Sequence, residues 1–156
     1  MPIFWVGTEH SFQEALSNYL SVHLGNLPED KRQEHELLVY AKGEGTAWHP
    51  ELTSPEPSET VLFKTMYSAF RGTRLSQLLD AQGIRTLLLA GCNTNVCIHS
   101  SALDAFFEGY FPILCSDACA TADAAAQEPF LETHRRFYGH VVSTEGLTTY
   151  WGNTTS

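Results

Sequence analysis

An uninterrupted apolar run, Leu87-Leu88-Leu89-Ala90, passes through Gly91 into a helical stretch that carries Cys97. Similar strand-like runs recur from Ile3 to Gly7, Val61 to Lys64, Pro112 to Ser116 and Val141 to Ser143, with helical stretches between them. Strands alternating with helices pack as a parallel sheet covered on both faces, so the expected class is α/β, three-layered and doubly wound. The spacing predicts a helix that starts at Thr73 as N-cap, carries Leu75, Leu78 and Leu79 on one face, and ends at Gly83. A second is predicted from Asn95 to Glu108, capped by Thr94 and stopped by Gly109. A third is placed from Pro129, a residue suited to a first helical position, to Gly139. Between Ser11 and Pro57 the pattern is weaker. Phe12, Leu16, Tyr19, Leu20 and Leu24 fall at helical spacing, Glu29 to Glu36 reads as a solvated charged loop, and Pro50, Pro55 and Pro57 mark an extended connection.

A chain of 156 residues is expected to be one domain, here residues 1 to 156, with room for a real core. A net charge of −9 argues against a nucleic-acid partner, which needs a basic face; the longest basic run is Arg135-Arg136. No apolar window approaches the ~20 residues of a membrane span. Pro2-Ile3-Phe4-Trp5-Val6 is too short for a signal-peptide core and no Lys or Arg precedes it, so a cytoplasmic address is the expectation. The four cysteines, at 92, 97, 115 and 119, lack the paired C-x2-C spacing of a zinc ribbon, and free thiols in a reducing compartment are expected. His10 and His49 are ligand candidates in principle only; neither a metal nor another cofactor is expected.

Cys97 is the residue that points to chemistry. It falls in the first turn of a helix, beside backbone N–H groups with no intrahelical partner, and these favour the thiolate that attacks carbon. Three segments come in one order around it: Lys64-Thr65-Met66-Tyr67-Ser68-Ala69-Phe70-Arg71-Gly72-Thr73, then Gly91-Cys92-Asn93-Thr94-Asn95-Val96-Cys97, then Gly109-Tyr110 and Asp117-Ala118-Cys119-Ala120. Together they resemble the isochorismatase-like cysteine hydrolases, which include isochorismatases, nicotinamidases and N-carbamoyl amidases.

The resemblance implies a small-molecule hydrolase acting on an amide, ureido or vinyl-ether substrate, often assembled as a homo-oligomer. It assigns Cys97 as nucleophile and Lys64 as the ammonium that supports the thiolate. It places a cis peptide at Cys92–Asn93 and the oxyanion donors at the backbone N–H of Asn93 and Cys97. Tyr67 and Phe70 would line the pocket, with plain core packing an equal alternative. Asp117 reads as a turn residue bonding the next loop's backbone, structural rather than catalytic. The nicotinamidase metal set of an aspartate with several histidines is not found.

One part of the pattern is missing. Relatives open with an apolar strand ending in a catalytic aspartate, then a helix, whereas Ile3 to Gly7 looks like their second strand and no Asp precedes Asp30. In the sheet order 3-2-1-4-5-6 the absent strand is central, so the gap is expected either to be closed by pairing the strand at Ile3 with that at Thr86 or to mark an N-terminally incomplete domain. Losing the base is expected to slow the reaction by about 10²–10⁴. Glu9, just after the first visible strand, is a candidate surrogate. The alternative is a non-catalytic member of the same fold that binds a small ligand or a protein.

Overall fold

The apolar runs form parallel strands, and in the C-terminal part of the chain the helical stretches between them pack against the sheet. The structure, a computed structural model, describes residues 1–9, 22, 25–32 and 47–154. The chain divides into two units, Met1–Met66 with Arg71–Thr73, and Tyr67–Phe70 with Arg74–Ser156.

In the first unit, β1 (Phe4–Thr8) and β2 (Thr60–Lys64) pair in parallel, from Phe4 opposite Thr60 to Thr8 opposite Lys64. Alternation along β2 buries Leu62 and Lys64 and exposes Val61 and Phe63. The Trp5 indole N–H donates to the Glu59 carboxylate at 2.6 Å, and its ring meets Trp48 edge-on at 5.5 Å. Gly7 leaves room for that aromatic layer: a Cβ there would come within 2.9 Å of the Phe63 ring.

The second unit runs α1 (Leu75–Ala81), β3 (Thr86–Cys92), a π-turn (Thr94–Ile98), α2 (His99–Phe107), β4 (Phe111–Ala120), α3 (Ala124–Phe137), β5 (His140–Val142) and α4 (Thr144–Thr154). Its sheet has the order β3-β4-β5, all parallel. Ile98 and Ala102 close one face against Leu114, Cys119 and Leu131, with Leu89 and Val141 at the margin. Fully burying a side chain such as Leu114 contributes roughly 1.5–3 kcal/mol. Among the described residues, no helix is long and apolar enough to cross a membrane.

The α/β class is as expected, and several details differ. The described strands form two sheets: β1 is bonded to β2 and β3 to β4, so the gap-closing pairing of the Ile3 and Thr86 strands is not found among them. Arg74, not Thr73, is the N-cap of α1, and it makes no side-chain cap bond. The second predicted helix is interrupted, its first turn being a π-turn preceded by Asn93 rather than capped by Thr94. The third begins five residues earlier than Pro129, at Ala124, because the Asp123 carboxylate accepts the Ala125 N–H at 3.0 Å and caps it there. β4 continues to Ala120, so Asp117 lies in a strand, at the irregularity where the register jumps between Leu89 opposite Leu114 and Gly91 opposite Cys119. Residues 29–32 of the expected charged loop are helical. The helix expected from Phe12 to Leu24 lies outside the described residues.

A buried histidine gives the second unit a pH dependence. His134 is 0% exposed, and the Pro112 carbonyl lies 3.2 Å from its Nε2, which fixes Nε2 as the donor. Nδ1 is buried without a hydrogen-bond partner among the described residues. Burial pushes His134 below the ordinary imidazole value, against the pull of the Pro112 carbonyl, and His99 and His140 add to the lowering. Burial lowers His99 as well. As the pH falls, the unfolded chain takes up these protons first, near pH ~6.5. Stability is therefore fully present above that value and is lost as the pH falls below it. The melting temperature should be flat from pH 8 to 7 and decline towards pH 5, followed by circular dichroism; an unchanged value at pH 5 would contradict this account.

Candidate active site

The turn that carries Cys97 is built by the end of β3. Gly91 takes φ +125°, a conformation that costs other residues dearly, and lets the strand swing towards the helix. The next peptide, Cys92–Asn93, is cis, as the resemblance implied. Asn93 is extended, and its carbonyl accepts from the N–H groups of both Val96 and Ile98 at 3.1 Å. The second of these is the wide i→i+5 bond of a π-turn, a local geometry often found at functional sites. Cys97 sits on this turn, half-buried.

Neighbouring groups brace the turn. The Thr121 hydroxyl donates to Asn95 Oδ1 at 2.6 Å, tying the loop after β4 to it. Ser101, buried on the first turn of α2, donates to the Cys97 carbonyl at 2.7 Å and accepts the Ala69 N–H at 2.9 Å. The Tyr67 phenol is raised above its ordinary value, first by burial and then by the charge that a Cys97 thiolate places near it. Phe70 is buried, with its ring 5.8 Å from that of Tyr110.

The four thiols are in different environments. Burial pushes Cys119 up to about 11, and burial and Asp117 raise Cys115, so both stay protonated at neutral pH. Cys92 is exposed and Cys97 half-buried. Asp117 bonds the start of α4: its Oδ1 accepts the Thr144 N–H at 2.9 Å and its Oδ2 the Thr144 hydroxyl at 2.6 Å. Those bonds hold its carboxyl below the ordinary value.

In the first unit, Lys64 closes β2, is 6% exposed, and donates from Nζ to the Met66 carbonyl at 2.9 Å. The Glu9 N–H donates to the Lys64 carbonyl at 3.0 Å, so Glu9 leaves β1 at the same carboxyl end of that sheet. His49 is exposed, with Nδ1 accepting the Glu51 N–H at 3.3 Å in an ordinary turn. His10 lies outside the described residues. Among the described residues, no group of three or more His, Cys, Asp and Glu could hold a metal ion.

Sequence reasoning missed Ser101, Asn95 and Thr121. Ser101 had a legible signal: it lies four residues after Cys97, the spacing that puts two side chains on one helical face.

A family model described as "Isochorismatase domain" matches residues 1–146. The ureidoacrylate amidohydrolase RutB of Methylorubrum extorquens is 38% identical over 112 residues, covering 71% of this chain and 45% of that protein. RutB of Klebsiella pneumoniae is 37% identical over 131 residues, covering 80% of this chain and 54% of the relative. The chain thus spans about half the length of the curated relatives it matches. The crystal structure of an isochorismatase family protein from Desulfovibrio vulgaris superposes with a TM-score of 0.78 at 27% identity, over 97% of this chain and 75% of that one.

Proposed function

The chain belongs to the isochorismatase family, and from that premise we propose that it hydrolyses a carbon–nitrogen bond of a small ureido or amide substrate with Cys97 as nucleophile. The observation that carries this reading is the placement of Cys97, half-buried, on a π-turn braced by Ser101 and Thr121, while Cys115 and Cys119 are buried as inert thiols. The ureido or amide class is supported by the names of the relatives, ureidoacrylate amidohydrolases.

In the proposed reaction the Cys97 sulfur bonds to the carbonyl carbon, and the backbone N–H groups of Asn93 and Cys97 hold the oxyanion. The carbon–nitrogen bond then breaks, and the nitrogen leaves with a proton as amine or ammonia. Water cleaves the resulting carbon–sulfur bond, releasing the acid and restoring the thiol. Lys64 is assigned the role of the cation that supports the thiolate, and Glu9 that of the candidate base. Tyr67 and Phe70 are assigned to the pocket, Phe70 through the wall it forms with Tyr110.

The test is a panel of N-carbamoyl acids, an unsaturated ureido acid and simple carboxamides, assayed for released ammonia. Turnover of at least one ureido or amide compound is expected. If the folded protein released nothing from any of them, the non-catalytic binding reading would replace this one.

A further inference from the structure

Ser101 is in contact with both the nucleophile's own peptide and the segment that carries Tyr67. A serine in a helix commonly donates back to the carbonyl four residues earlier, and by itself that bond is unremarkable local geometry. Here the same oxygen also accepts the Ala69 N–H at 2.9 Å, and the chain around that N–H is buried: Ser68 is 5%, Ala69 7% and Phe70 6% exposed. One hydroxyl therefore uses its proton on Cys97 and a lone pair on the 67–70 segment, and at 5% exposure it has little access to water as a substitute. Tyr67 stands two residues before Ala69, half-buried, where it feels the charge of a Cys97 thiolate. Its phenol keeps its proton at neutral pH and so offers a donor.

We propose that Ser101 is a positioning residue: by pinning the Ala69 N–H to the Cys97 carbonyl through one hydroxyl, it sets where the Tyr67 phenol stands relative to the Cys97 thiol. The inference rests on Cys97 being the nucleophile, yet its test does not depend on turnover.

The experiment is a double-mutant cycle read by the rate at which iodoacetamide labels Cys97 in the folded protein, with the site identified by peptide mapping. Ser101→Ala should slow labelling about 3–10-fold, the scale of a coupled pair of neighbours, and should change it less than about 2-fold in a Tyr67→Phe background. Ser101→Thr, which keeps the hydroxyl, should restore the wild-type rate. If Ser101→Ala does not fold, Ser101→Cys takes its place in the cycle, its thiol being a weaker donor and acceptor. Equal changes in both backgrounds, no change at all, or failure of threonine to rescue would overturn the proposal. Coupled labelling without turnover of any ureido or amide substrate would instead overturn the functional reading and leave the Ser101 assignment standing.

Discussion

Cys97→Ala should lower the turnover of a ureido or amide substrate by on the order of 10³–10⁶, the scale at which removal of a nucleophile leaves only the contribution of binding and oxyanion donors. The loss should fall on kcat and kcat/KM together, because the proposed carbon–sulfur bond would exist only along the reaction path. Stability should change little, since Cys97 is half-buried and is not among the residues of the central apolar cluster. The contrast within the molecule is Cys119, 6% exposed inside that cluster, where Cys119→Ala should cost stability instead of chemistry. Steady-state kinetics and thermal melts of the two variants separate the cases. Equal activity in Cys97→Ala and wild type would remove Cys97 from the mechanism.

Gly139→Ala should be the most damaging single-methyl change in the second unit. A Cβ at Gly139 would stand 1.9 Å from the Pro112 carbonyl oxygen and 2.8 Å from His134 Nε2. Neither neighbour can retreat cheaply. Pro112 lies in β4, the central strand of its sheet, and His134 is fully buried and accepted by that same carbonyl. Moving β4 would also disturb Leu114, the most buried leucine of the cluster. A clash of this kind with backbone costs about 3–5 kcal/mol, a large share of the stability of an ordinary domain. The melting temperature should fall by about 6–20 °C, or the protein should fail to accumulate folded. Gly152→Ala, where a Cβ would meet nothing within 4 Å, is the control and should be neutral or stabilising by up to roughly 1 kcal/mol. A melt of Gly139→Ala indistinguishable from wild type would show that the strand and helix meet differently.

Much of this architecture is legible in the chain because strand runs such as Val61 to Lys64 and Leu87 to Ala90 are apolar, short and set apart by helical periodicity. The cis peptide at Cys92–Asn93 has no such signal and came through resemblance alone. The π-turn was invisible for a physical reason: i→i+5 and i→i+4 bonding differ by one residue and leave the same apolar pattern, so Asn95 to Glu108 reads as one helix. Pro129 misled because proline favours a first turn, while Asp123, six residues earlier, supplied a real cap. In sequence Asp117 falls past the apolar run Pro112 to Ser116, because the irregularity in β4 breaks alternation where pattern reading needs it. Its carboxylate bonds the backbone not of the next loop, as the turn reading expects, but of Thr144, 27 residues on. For Ser101 the spacing of four from Cys97 is legible, whereas its second partner, Ala69, lies 32 residues away and leaves no local signal.

The central claim, that Cys97 forms a covalent intermediate, is tested most directly by mixing the protein with a p-nitrophenyl ester of a small acid and following the mass of the protein. Nitrophenolate leaves without needing a proton, so acylation reports on the nucleophile and the oxyanion donors alone. The account predicts one acyl group per chain, mapped to the peptide containing Cys97 and absent from Cys97→Ala. Acylation that settles on the exposed Cys92 instead, or that persists unchanged in Cys97→Ala, would contradict it.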